Sequence, residues 1–505
     1  MIRLRALLGM ALAAAAAALA VPGPSAAAKP AASTYYVDCS ATASGNGTSA
    51  SPWNSLAAAG ARTYGPGDRL LLKRGATCTG QLKPKGSGSA AAPVKVGAYG
   101  TGSSRPVIAG EGKVYAPVHL YNVQYWEVRD LEVTNNAATP AERNGVLAEL
   151  EDFGTGHHIV LQNLYVHHVS GDDNKRSNGI QFRVSGTKKP TRFDGAYALD
   201  NEIYKVDREG LTNVSTWMCR PEYGTGDGCS GKNNWLASTN VVFRGNEIHD
   251  IGGDGIVLRA SDRGLVEHNE GYDLWMRSKG NNAGFWTINS DNPVFQYNEV
   301  HHVRFPALND GMAFDADFGV NNALFQYNYS HDNEGGFMLL CGGCGAGSKS
   351  TGTVVRYNTS VNDGAKLLLA AGEKNAHFYN NTFYLPEGST TDFIKQDQAT
   401  TVKWTNNLFA NYGSGGFDYI AGDHTWSNNL FHGNHPANEP TDPAKVTGDP
   451  RLADPGAGDV HLGSGSAALK AGKAVSGNGG RDYYGNPVPG GCAPDIGAHQ
   501  ATRAC

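Results

Sequence analysis

A chain of 505 residues, 18% charged, 40% hydrophobic and with a formal net charge of −5, has the balance of a folded globular protein and excludes a disordered one. It is not basic enough for a nucleic-acid binder, so no nucleic-acid partner is expected. Sixty-six glycines, with frequent asparagine, point to many tight turns.

Residues 1–28 read as a secretory signal: Arg3 and Arg5 lead an apolar run, Ala6–Val21, and Ala26-Ala27-Ala28 offers small residues for cleavage before Lys29. No later stretch reaches the ~20 apolar residues of a spanning helix. The expectation is a secreted, extracellular protein with no membrane span in its mature form. Eight cysteines suit that compartment and are expected as sequence-local disulfides: Cys39/Cys78, Cys219/Cys229, Cys341/Cys344 and Cys492/Cys505. The Cys341-Gly-Gly-Cys344 pair is also readable as a redox motif or half a zinc site.

Residues 29–117 read as an N-terminal cap with the first coils. Tyr35-Tyr36-Val37 is a short strand, Trp53-Asn54-Ser55-Leu56 opens a short helix through Ala61, and Pro66-Gly67-Asp68 turns into the strand Arg69–Lys73. Across 118–432 one unit recurs, an Asn ahead of a short alternating strand. It starts at Asn163, Asn201, Asn246, Asn269, Asn298, Asn328, Asn358, Asn381, Asn407 and Asn429. From Asn246 onward the spacings are 23, 29, 30, 30, 23, 26 and 22 residues, the length of one solenoid coil. About seven residues after the Asn comes a Gly-led apolar strand, as at Gly255, Gly284, Gly311, Gly336 and Gly364. Each coil should then hold about three short strands, with Asn stacking on Asn at a bend where its tolerance of the left-handed conformation helps. The long intervals 163–201 and 201–246 call for insertions near Thr187–Phe193 and Trp217–Asn234. Residues 433–505 lose the repeat and read as a linker and a tail packed on the C-terminal end.

The pattern predicts an all-β, right-handed parallel β-helix. The Asn units and Gly-led strands resemble proteins of the pectate-lyase-like superfamily, of the secreted, carbohydrate-active bacterial type. So do the openings Tyr35-Tyr36-Val37, Pro52-Trp53 and Gly97-Ala98-Tyr99, and the ending Gly448-Asp449-Pro450 … Pro494-Asp495-Ile496-Gly497. The resemblance implies a monomer acting on a polysaccharide. It leaves the reaction open, because the superfamily holds hydrolases, lyases and non-catalytic binders.

The chemistry concentrates in Asn309–Gly319, where Asp310, Asp315 and Asp317 fall close together. Asp315 and Asp317 share a strand face, roughly 6–7 Å apart. Aligning the coils on their Gly turns Arg259, Trp286, Asp315 and Lys366 outward on one surface, an aromatic platform beside acids and bases. The same alignment places Leu340 one coil on from Asp315. A glycoside hydrolase would use Asp315 and Asp317 as its acid pair, with Glu334 able to replace either. A uronate lyase would hold Ca²⁺ on Asp310, Asp315 and Asp317 and take Lys366 or Arg259 as base; apart from that Ca²⁺, no cofactor is expected. The third reading is a non-catalytic carbohydrate- or wall-binding solenoid. Trp286, Arg259, Asp310 and Glu209 are candidate substrate contacts. The pairs His157/His158, His167/His168 and His301/His302 should point to opposite faces and not chelate; His301 and His331 either flank the site or stack as a ladder.

Overall fold

The computed structural model describes residues 32–220, 234–306, 309–345, 348–488, 490 and 492–501. The segment read as a signal lies outside the described residues. Backbone pairing carries the chain from coil to coil through three long sheets of 15, 13 and 11 strands, here called the first, second and third, in which every strand pairs its neighbours in parallel. One coil supplies Val294–Gln296 to the first sheet, Glu299–Val303 to the second and Met312–Ala316 to the third. This is the predicted right-handed parallel β-helix. Its bore is filled by stacked apolar side chains such as Phe295 on Phe325, with ring centroids 4.8 Å apart. At the N-terminal end a short helix, Leu56–Ala61, starts after Ser55, whose hydroxyl accepts from the Ala58 N–H, and it buries Leu56 and Ala59. Cys39–Cys78 and Cys341–Cys344 are disulfides. Cys219 and Cys492 are also disulfide-bonded, and the expected partners Cys229 and Cys505 lie outside the described residues.

The asparagine ladder is real, with two corrections. From Asn201 to Asn429 each Nδ2 donates to the Oδ1 of the Asn one coil on, at 2.8 Å for Asn201–Asn246 and 2.9 Å for Asn328–Asn358. Each Oδ1 also accepts the backbone N–H of the preceding ladder Asn, and each Nδ2 donates to a carbonyl of the previous coil, as Asn328 does to Phe295 at 2.9 Å. Asp442 ends the ladder by accepting from Asn429 Nδ2 at 2.9 Å. Asn163 is not a rung: Leu164 holds that position and its N–H donates to Asn201 Oδ1 at 2.9 Å. The left-handed residues are not the ladder Asn either but those just before them, such as Tyr297 (φ 54°) and Tyr327 (φ 59°). Asn is used here for its paired donor and acceptor, which no apolar residue could supply in a buried bend.

The interval 163–201 holds no large excursion near Thr187–Phe193. It is filled by two eight-residue strands, Asn178–Ser185 and Arg192–Leu199, and by residues 170–177, which carry Lys175. Residues 221–233 of the second expected insertion lie outside the described set. The tail caps the end through Asp442 and then runs back along the side of the solenoid: Asn406 Nδ2 donates to Lys473 O at 2.8 Å and Tyr327 Oη to Arg481 O at 3.2 Å.

Removing one rung strands its neighbours' polar atoms in a dry interior. Asn328→Ala should destabilise the fold by about 2–4 kcal/mol. Asn163→Gly, which keeps its left-handed φ of 52°, should cost under about 0.5 kcal/mol. Denaturant midpoints of the two variants check this. Equal midpoints would contradict the assignment.

Candidate active site

The third sheet stacks its outward side chains in a row fixed by strand register: Val257 beside Trp286, Trp286 beside Asp315, Asp315 beside Leu339, and Leu339 beside Leu369. Two alignment expectations need correction. Ala313, not Gly311, pairs with Gly284, so this strand is displaced two residues from the glycine alignment. The displacement leaves Phe314 inward and Asp315 outward as expected and sets Asp315 directly against Trp286, but Ala313 joins the core and Met312 the outward apolar cluster, the reverse of their expected faces. Gly311 instead sits at φ +77° with the Phe305 ring beside it, outside the glycine stack. One coil on, Leu339 rather than Leu340 faces outward, while Met338 and Leu340 join the core. From Met338 onward the register is off by one and the side chains change face, while Phe337 stays in the core as expected.

This row floors a cleft of ≈ 370 Å³. Asp254, Asp310, Asp315 and Asp317 line it together with Lys175, Asn282, Trp286, Asp397 and Gln398. Beside the acids, continuing the row, lies an apolar flank of Leu339, Leu369, Ala371 and the Cys341–Cys344 disulfide. Asp317 lies one outward position beyond Asp315. Its N–H donates to Thr287 O at 2.9 Å and its carboxylate accepts the Phe318 N–H at 2.7 Å. A carboxylate oxygen of Asp317 lies within 4.8 Å of both disulfide sulfurs.

Asp315 is buried, and among the described residues its Oδ1 has no hydrogen-bond partner. Burial, then the charges of Asp317, Asp310 and Asp254, hold its carboxyl well above the usual carboxylate range. Asp310 is pushed up to about 6 by burial and next by Asp254, while Lys175 and Lys366 pull the other way. The rung therefore carries protons at mildly acidic pH. Burial depresses the Lys366 ammonium against the opposing pull of Asp397 and Asp310. Its Nζ lies 4.6 Å from the Phe305 ring centroid, and Lys366 is not among the cleft-lining residues.

A buried polar chain supports the floor. Asp254 accepts from Trp286 Nε1 at 2.9 Å, from the Ala283 N–H at 3.0 Å and from Arg208 Nη1 at 2.9 Å. Arg259 makes a two-pronged ion pair with Glu209, at 2.7 and 3.2 Å, and its Cζ stands 5.1 Å from the Trp286 ring centroid. Lys175 Nζ approaches the same ring to 4.9 Å. Arg259 and Glu209 are thus buried supports rather than surface contacts. Trp286, 5% exposed, is a wall of the cleft and not an open platform. Glu334 lies elsewhere: it pairs with Arg304 at 3.3 Å and accepts the Phe305 N–H at 2.8 Å, in a separate depression beside Trp275. His301 and His331 belong to the second sheet and stack there, so they do not flank the cleft.

A calcium site on Asp310, Asp315 and Asp317 would need their oxygens to converge. Among the described residues, two groups bring three ligand atoms within 4.8 Å of one another, and neither contains Asp310 or Asp315. Lys175, Asp254, Asp397 and Gln398 are cleft residues that the strand pattern misses. Asp254 had a signal, since it precedes Gly255 as Glu209 precedes Gly210; Lys175 reaches the cleft from a loop, and Asp397 and Gln398 from a strand end, that no alternation marks.

A family model for the right-handed beta helix region matches residues 117–383, more than half of the chain. The chain is similar to a lacto-N-biosidase of Bifidobacterium longum subsp. longum, 29% identical over 92% of this chain and 36% of that protein. The chain thus spans about a third of the length of that curated relative. It is also similar to the crystal structure of the GH136 lacto-N-biosidase from Eubacterium ramulus, with a TM-score of 0.62, 26% identity and coverage of 77% of this chain and 68% of that one. A likeness to XylC in complex with xylose, with a TM-score of 0.52, 10% identity and coverage of 93% and 98%, reflects the fold alone.

Carboxyls raised in the folded state favour folding when protonated. The stability from Asp310 and Asp315 is complete below about pH 4, the unfolded value. It is lost as pH rises, for Asp310 through about 6. Asp315→Asn keeps the shape without the charge, so its melting temperature relative to wild type should rise from pH 4 to pH 7. A difference that is flat or falls with pH would contradict the buried-acid assignment.

Proposed function

The chain belongs to the right-handed β-helix family, and we propose that it is an exported glycoside hydrolase of the lacto-N-biosidase kind that binds its glycan in the third-sheet cleft. The observation that carries the reading is one strand and its flanks bringing three carboxyls into a cleft with a Trp wall and an apolar wall. Hydrolysis of a glycosidic bond needs one carboxyl to protonate the leaving oxygen and one ionised carboxylate to act as nucleophile or base.

Asp310 and Asp317 fit that pair better than Asp315 and Asp317. A proton-transfer group works best when its pKa lies near the working pH, and Asp310 titrates at about 6. Asp317 receives a backbone N–H donor at 2.7 Å, which favours its charged form. Asp315, deeper and held protonated, suits a neutral donor in the cleft floor that keeps a third negative charge out of the site. Asp254 is a positioning residue: it orients the Trp286 indole, and its charge helps hold the proton on Asp310. Lys175, Asp397 and Gln398 offer polar contacts to sugar hydroxyls.

A panel of glycans, assayed for reducing ends and for the ultraviolet absorbance of an unsaturated uronate, separates the reactions. Reducing ends without that absorbance are expected; the absorbance would mean a lyase, and binding without product a scaffold. Asp310→Asn and Asp317→Asn should each lower kcat by about 10²–10⁴-fold. Glu334→Gln should leave it within twofold. Azide rescue of the corresponding Gly variants assigns the nucleophile. Full activity in either Asn variant would sink the proposed pair.

A further inference from the structure

The second sheet carries a pattern that the cleft does not use. Its outward face holds two parallel rows. One runs Glu202, Glu247, Glu270 and Glu299 on successive coils. The other runs Tyr204, His249, Tyr272, His301 and His331, ring on ring, with centroids 4.5 to 5.1 Å apart. Up to Tyr272 tyrosine and histidine alternate, with His249 stacked between Tyr204 and Tyr272. At His301 and His331 two imidazoles from neighbouring coils meet at directly paired positions, with Glu299 two residues before His301 on the same face.

We propose that Glu299, His301 and His331 form a binding site for a divalent transition metal of the Zn²⁺ type, bridging two coils of the second sheet. One ligand atom from each of the three lies within 4.8 Å of the others. Glu299 Oε1 is already 3.2 Å from His331 Nε2. Zn–N bonds of about 2.0–2.1 Å would need the three atoms to draw inward by side-chain rotation alone, since paired strands already hold their side chains in opposition. Two imidazoles and one carboxylate are a donor set for a borderline metal rather than for calcium.

The surroundings strengthen the assignment. A metal-bound imidazole commonly donates its other N–H to a carboxylate, which fixes the tautomer and leaves the ligating nitrogen its lone pair. His331 Nδ1 lies 2.8 Å from Asp332 Oδ2, so the arrangement is already in place for Nε2 to bind. His301 Nδ1 meets the His302 imidazole instead, 2.6 Å from its Nδ1. That contact overturns the expectation that adjacent histidines face apart: His302 adopts φ 55°, and the local twist turns both rings to one side.

Titration of tag-free, chelator-washed full-length protein with Zn²⁺ in a calorimeter tests the site, with Co²⁺ absorbance as a second probe. One equivalent should bind. His331→Ala should weaken binding at least tenfold, and Asp332→Asn, which touches no metal, by about 10–100-fold. His249→Ala, on the same ladder, should bind as wild type. Glu299→Gln, at a half-exposed side chain, gives a folded reporter should the histidine variant fail to fold, and it too should weaken binding. No saturable binding below about 1 mM Zn²⁺ would overturn the site. So would undiminished binding in the Glu299 and Asp332 variants.

Discussion

Parallel pairing at about 4.8 Å per coil is the constraint on which everything else rests. Whatever occupies a position in one coil is pressed against the same position in the next. An apolar side chain gains a neighbour by this, and an asparagine can hand its amide proton to the following amide oxygen, as the run from Asn201 to Asn429 does. A carboxylate gains a cost, because a like charge one coil or two residues away raises its pKa. The ladder and the acid cluster are two outcomes of one spacing. In the first the group carries both donor and acceptor and is satisfied; in Asp315 it carries acceptors alone and must take up a proton.

In the cleft that cost falls on Asp315 and Asp310, whose carboxyls are both pushed up. Asp315 lies between Trp286 and Leu339 in the row, with Leu369 one coil further, so its coil neighbours are an aromatic and an aliphatic side chain. Beneath them the charges are paired: Arg208 with Asp254 and Arg259 with Glu209, both buried. A buried pair is weak evidence for stability. Here each pair meets Trp286, one through its indole N–H and the other across its ring face, and so fixes the wall against which a ligand would lie.

The fold was readable because the signal repeats. Nine ladder positions each state the coil length, and one error at Asn163 leaves the rest intact. The site was half readable for the same reason in reverse. Trp286 and Asp315 were placed on one face because strand alternation survives a two-residue displacement. The displacement itself, caused by Gly311 leaving the glycine stack, has no mark in the pattern. One coil later the register is off by one, and Leu339 replaces Leu340 beside Asp315. Lys175 comes to the cleft from one coil and Asp397 and Gln398 from another more than 200 residues on, and only folding brings them together. Glu209 read as a candidate substrate contact because its partner Arg259 lies 50 residues away in sequence, and only folding pairs them. His302 was misplaced because alternation holds only where φ stays negative.

The most direct test of the central claim is a crystal structure of the Asp317→Asn variant with an uncleaved glycan bound. The sugar at the scissile bond should lie between Asp310 and position 317, against Trp286, with Leu339 and Leu369 on its far side. A glycan bound away from the cleft, on the ladder face of the second sheet or along the first, would contradict the account.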